Sequence, residues 1–250
     1  MPQVRRLLRG SRASSTAQRK VTPDGAAVMI DLGCGKGDFT LLLASALGAG
    51  VALLGVDTNP SAISFARARA EAAGLTNAHF RVADAAELRS PPGRVTGVCG
   101  ECGAADGGMI APWWSRWHVG DGASLLVALH ACGGLSDVAL SLAAACGASC
   151  LIATCCFGKH RELCPASTWR SDLREADKDV LCRMADCVEP TVAAEARTVV
   201  SNLRIDRLRA EMRPQARVAD AAVRTFDPSY SRQNFVLAVE CEEVASCVGP

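Results

Sequence analysis

Residues 28–40 read "VMIDLGCGKGDFT": an apolar run, an acid at Asp31, then glycines at 33, 35 and 37. An apolar run of strand length that ends in alternate glycines predicts a buried strand turning sharply into a helix. In α/β proteins that turn is where nucleotides are held. A phosphate-binding loop needs glycine, four residues and then Gly-Lys-Ser/Thr. Here Ile30 stands five before Gly35, and Gly37 follows Lys36, so that loop is excluded. A G-x-G-x-x-G dinucleotide loop would place glycine at 38, where this chain sets Asp38 against the position of a pyrophosphate on a helix N-terminus. A sulfonium nucleoside carries no phosphate and meets no such repulsion, and Gly33 and Gly35 let the backbone lie against it.

Strand and helix patterns alternate outward from this turn. "AVMID" (27–31), "VALLGVD" (51–57) and "AHFRVAD" (78–84) read as strands. Between them the spacing predicts a helix from Asp38, with Phe39, Leu42, Leu43, Ala46 and Leu47 on one face, and a second helix capped by Asn59 with Pro60 in its first turn. "SLLVALHACGG" (124–134) and "ASCLIATCC" (148–156) read as strands flanking a helix capped by Ser136 and stopped by Gly147. Helical stretches at about 167–187 and 190–213 lead to a final antiparallel pair, "ARVADAAVRTF" (216–226) and "NFVLAVE" (234–240). The expected fold is an α/β Rossmann-like, seven-stranded sheet, mainly parallel with an antiparallel last strand and helices on both faces. Residues 90–123, rich in glycine and proline around Trp113, Trp114 and Trp117, read as a long loop.

With 250 residues, 49% of them hydrophobic, the chain supports one sizeable α/β domain, expected over 27–250. The first twenty residues carry six Arg and Lys and no acid, which leaves a net −5 for the rest and argues against the body being a general polyanion binder. Residues 1–26 are expected to be a basic flexible arm or transit-like segment. The expected location is cytoplasmic, or mitochondrial or plastid if that segment directs import. No membrane partner is expected. Thirteen cysteines, an odd number without an export signal, suit reduced thiols. The lone "CGEC" at 99–102 lacks a second pair, and no metal site is expected.

"DLGCGKG", "VDTNP" and "RVADAAEL" resemble, in order, the first three binding motifs of the class I S-adenosylmethionine-dependent methyltransferases. The resemblance implies S-adenosyl-L-methionine as cofactor. Asp31 and the loop Gly33, Gly35 and Gly37 would face its methionine part, Asp57 its ribose, and Asp84 with Ala85 its adenine. "ALHACGGLSDVAL" and "ATCCFGKHRELCPAS" resemble a smaller group that contains tRNA methyltransferase 13-like enzymes and glutathione S-transferase C-terminal domain-containing proteins. This implies an RNA acceptor, with a tRNA ribose 2′-hydroxyl favoured. Those tRNA enzymes carry zinc-binding modules ahead of the catalytic domain, whereas this chain has a short basic arm.

An imidazole suits proton removal from a hydroxyl near neutral pH, so His130 is the candidate base, with Cys132 and Cys156 the further catalytic candidates. Cys132 and the pair Cys155-Cys156 lie at the ends of adjacent expected strands, so their thiols are expected to face one pocket, with only one of the pair pointing into it. Lys159 and Arg161 are candidates for an acceptor phosphate, and Tyr230 in the last turn is a third substrate candidate. The arginines from 204 to 217, interleaved with Asp206 and Glu211, read as a mixed surface. Other readings are a cytosine-5 RNA methyltransferase using strand-end cysteines, a protein or small-molecule methyltransferase, and an interaction module without catalysis.

Overall fold

A computed structural model describes residues 27–85, 88, 123–227, 229, 231 and 234–244. The strands are β1 (Ala27–Leu32), β2 (Val51–Asp57), β3 (Ala78–Val82), β4 (Leu125–Ala128), β5 (Ser149–Ala153), β6 (Ala216–Thr225) and β7 (Phe235–Glu243). The helices are α1 (Asp38–Leu47), α2 (Pro60–Ala72), α3 (Gly134–Cys146), α4 (Ala166–Trp169), α5 (Glu175–Ala185) and α6 (Pro190–Glu211), with a 3₁₀ turn at Arg161–Leu163.

The seven strands form one sheet in the order β3-β2-β1-β4-β5-β7-β6. The first five are parallel, and β7 runs antiparallel to both neighbours. Chain order reverses between β1 and β4, where the connections leave in opposite directions and open a crevice at the C-terminal ends. Asp31 pairs with Gly55 of β2 on one side and Val127 of β4 on the other, so it sits at that switch point.

Strand alternation divides the core. Val28, Ile30 and Leu32 pack on the face covered by α3 and α6, while Ala27 and Met29 join Leu43, Leu53, Ile63 and Phe80 on the opposite face. Each fully buried Ile or Leu contributes about 1.5–3 kcal/mol by leaving water. A third cluster, including Phe157, Trp169, Ala185 and Val200, packs α4, α5 and α6 against the chain following β5.

Several expected boundaries shift. In α1 the buried residues are Thr40, Leu41, Leu43 and Ala44, and Leu42 faces solvent. β4 stops at Ala128, because the chain turns at Leu129-His130. α3 begins at Gly134, before Ser136. Ser136 is therefore not its cap; its hydroxyl bonds the Ala131 carbonyl (2.6 Å) and Thr154 Oγ1 (2.7 Å). The stretch expected as one helix over 167–187 divides into α4 and α5. The arm over 1–26, the 90–122 part of the long loop, Cys99, Cys102, the three tryptophans and Tyr230 lie outside the described residues.

Candidate active site

β1 delivers Asp31 at 2% exposure beneath the glycine loop. Thr40 Oγ1 donates to its Oδ2 at 2.6 Å. Burial pushes the carboxyl up to about 7; the Thr40 bond opposes the shift and the nearby Asp57 charge adds to it. The loop is pinned from β2: Gly33 and Cys34 N–H both donate to the Val56 carbonyl (2.8 and 3.1 Å), and Gly35 N–H donates to Asp57 Oδ2 (2.9 Å). Asp57 Oδ1 accepts from Asn59 N–H at 2.9 Å, and Asn59 in turn caps α2 through Ser61 and Ala62 N–H. Each Asp57 oxygen keeps acceptor capacity for a further donor such as a ribose hydroxyl.

Two glycines in this loop do different work. Gly37 has φ +79°, and a Cβ there would meet Phe80 Cε1 at 2.9 Å and Ala66 Cβ at 3.0 Å, so its bareness serves packing. At Gly35 a Cβ would meet nothing within 4 Å, so its bareness leaves open space above the backbone. Asp38 points outward and pairs with Arg69 at 2.5 Å. Asp84 is exposed and Ala85 buried just past β3. The local set, acidic with an open glycine backbone, fits a cationic nucleoside.

Across the switch point, His130 is exposed just past the end of β4. The chain after it is stitched to the chain after β5: Ala131 N–H donates to the Ala153 carbonyl (3.2 Å), Gly133 N–H to Cys156 (2.7 Å) and Gly134 N–H to Lys159 (3.2 Å). Cys132 Sγ consequently lies 2.8 Å from Cys155 Sγ, and with Cys156 all three sulfurs fall within 4.8 Å of one another. The expectation that Cys155 and Cys156 face opposite ways fails because β5 ends at Ala153 and its pleat no longer governs them. Burial holds all three thiols above the ordinary range, and the opposing pull of Lys159 on Cys132 does not overcome it. Lys159 is exposed on the same rim, whereas Arg161 pairs with Asp179 at 2.5 Å.

The floor under this rim involves residues that sequence reasoning missed. Both Asp186 carboxylate oxygens accept from Phe157 N–H (2.9 Å each) and Oδ2 also from Gly158 N–H (2.8 Å). Lys178, 2% exposed, donates to the carbonyls of Arg161 and Cys164. Arg204 and Arg207, read as surface, are buried and pair with Asp137, which is 1% exposed and also accepts from Trp169 Nε1 at 2.7 Å. Arg204 further donates to the Gly133 carbonyl (2.9 Å) and Thr154 Oγ1 (3.3 Å), with Phe157 and Trp169 rings each 5.5 Å away. A signal was present: Val200, Arg204, Arg207 and Glu211 recur at helical spacing, which puts the arginines on the stripe that carries buried Val200.

A family described as a methyltransferase domain matches residues 23–93, the segment that holds β1, the glycine loop, β2 and β3. Among solved structures, the chain is similar to the S-adenosylmethionine-dependent methyltransferase SibL, at 14% identity over 88% of this chain and 52% of that one, with a TM-score of 0.46. It is also similar to TrmN from Thermus thermophilus (13% identity, 96% and 48% coverage, TM-score 0.43) and to an rRNA methylase from Streptococcus thermophilus (11%, 86% and 87%, 0.42). The chain spans about half the length of the first two. The matched segment holds the glycine loop and the first three strands, and the likeness to the solved structures is one of fold.

Proposed function

We propose that this protein transfers a methyl group from S-adenosyl-L-methionine to RNA, with a tRNA ribose 2′-hydroxyl as the favoured acceptor. The observation that carries the reading is the shared rim: Asp31, the glycine loop and Asp57 on one side of the switch point, His130 and Lys159 on the other. The bound cofactor supplies an electrophilic methyl on a sulfonium sulfur. Asp31 and the backbone from Gly33 to Gly37 hold its methionine part, Asp57 accepts from its ribose, and Asp84 with Ala85 flanks its adenine. His130 takes the hydroxyl proton as the methyl arrives, and Lys159 steadies a phosphate of the acceptor. Most of the acceleration then comes from holding the two reactants in line.

Cytosine-5 chemistry is the second reading, favoured by the proximity of Cys132 to Cys155 and Cys156. The raised thiols count against it, since a covalent step needs a thiolate. Cytoplasmic location, or organellar import through the basic segment, belongs with the RNA reading as a proposal.

The test is transfer of labelled methyl from S-adenosyl-L-methionine into RNA, protein and metabolite pools, followed by nucleoside analysis. Label in ribose of wild-type product, with at least a hundredfold lower kcat for His130→Ala, supports the reading. Label confined to protein or small molecules overturns the RNA acceptor. Absence of cofactor binding by calorimetry overturns the whole reading.

A further inference from the structure

Cys132 stands 23 residues before Cys155, a separation with no metal-binding signature, yet the fold brings their sulfurs and that of Cys156 into one cluster. The geometry points to a three-cysteine zinc site at the acceptor rim, formed by Cys132, Cys155 and Cys156.

Three observations carry it. The sulfurs lie within 4.8 Å of one another. Tetrahedral zinc with bonds of about 2.3 Å sets its sulfurs about 3.8 Å apart, so closure needs only side-chain adjustment, with the 2.8 Å Cys132–Cys155 pair opening by about 1 Å. Next, the backbone bearing the cysteines is fixed by bonds that use no sulfur: Gly133 to Cys156, Gly134 to Lys159, and Asp186 to Phe157 and Gly158. Gly133 has φ +47°, and a Cβ on it would run into the Lys159 carbonyl oxygen, so the two loops can approach this closely only with glycine there. Third, all three cysteines are partly exposed, which gives an ion a path inward.

The donor set selects the ion. Three thiolates without carboxylate or imidazole suit zinc and disfavour magnesium, calcium or manganese. Binding replaces three S–H bonds with three Zn–S bonds and releases three protons to the medium, with no change of oxidation state. Three protein ligands leave a fourth position open, as in zinc sites that take up a water or a reactant. This site stands independently of the acceptor assignment.

The test is titration of the reduced full chain with zinc against a chromophoric chelator, with cobalt as spectroscopic stand-in. The expected result is one zinc per chain and a thiolate-to-cobalt charge-transfer band. Cys132→Ser, Cys155→Ser and Cys156→Ser each weaken zinc at least tenfold and lose the band, whereas Cys187→Ser and the double change Cys99→Ser/Cys102→Ser retain both. X-ray absorption of zinc-loaded wild type, which needs no variant, is expected to count three sulfurs. Absence of stoichiometric zinc, a band that survives Cys132→Ser, or a band lost with Cys99 and Cys102 overturns the proposal. Calorimetry with S-adenosyl-L-methionine on metal-free protein separates failure of this site from failure of the cofactor reading.

Discussion

Gly35 and Gly37 lie two residues apart with positive φ of +53° and +79°, so alanine at either pays a similar left-handed penalty of about 1–2 kcal/mol. Their surroundings then separate them. At Gly37 the added methyl meets Phe80 and Ala66 at 2.9–3.0 Å, and Phe80 is 1% exposed with no room to retreat. Overpacking adds about 1–3 kcal/mol, for a total of about 2–5 kcal/mol. In a chain of this size that lowers Tm by roughly 4–20 °C. At Gly35 nothing lies within 4 Å, so the cost stays near the left-handed penalty while the methyl enters the space assigned to the cofactor. Urea unfolding monitored by circular dichroism, paired with calorimetry of S-adenosyl-L-methionine binding, reads both quantities. Gly37→Ala is expected to show the larger stability loss, and Gly35→Ala at least a tenfold loss of affinity in a protein that loses only about 1–2 kcal/mol of stability. Equal destabilisation by the two, or unchanged affinity in Gly35→Ala, refutes the division of labour.

Asp31 gives a pH prediction whose sign follows from its raised pKa. The native carboxyl, at about 7, holds its proton more tightly than the unfolded one, at 3.8, so stability is lost as pH rises from about 4 to 7. Asp31→Asn is expected to gain on wild type across that window, up to about 4 kcal/mol by pH 8, measured by urea unfolding at each pH; a margin independent of pH refutes it. Arg204→Met leaves Asp137 with a weaker partner set, and a loss of about 3–5 kcal/mol in the same assay is expected. A loss below 1 kcal/mol would show that the pair is not structural. Asp57→Ala frees the N–H groups of Gly35 and Asn59 and is expected to cost about 1–3 kcal/mol and to weaken cofactor binding; unaltered binding by calorimetry counts against its ribose role.

The structure of the half assigned to the cofactor was legible because its determinants are local. The apolar run of β1, the glycines after it, Asn59 at the α2 cap and the acid ending β2 each announce themselves within a few residues, and the observed bounds of α1 and β2 match the expected ones. The antiparallel pairing of β6 and β7 was also readable from two strand patterns joined by a turn. The other half was legible only in part. The placement of Cys132, Cys155 and Cys156 at the ends of adjacent strands was readable, but that both Cys155 and Cys156 join Cys132 follows from β5 ending at Ala153, which no spacing rule encodes. Arg204 and Arg207 looked like surface charges because their partner, Asp137, is 67 and 70 residues away. The face of α1 was misread by one position because leucine occurs at 41, 42 and 43, and packing alone chooses among them.

The tie from Asp57 to Gly35 closes over 22 residues, whereas Arg204 reaches Thr154 and Gly133 across 50 and 71. Contacts that close short loops form with less entropic expense than those that close long ones. During synthesis or partial melting, the tie between the glycine loop and the end of β2 is therefore expected to form before, and fail after, the ties that α6 makes to the chain beyond β4 and β5. Under the proposed function, a chain caught between those stages would have its donor loop shaped while the recipient side still waits for α6 to seat.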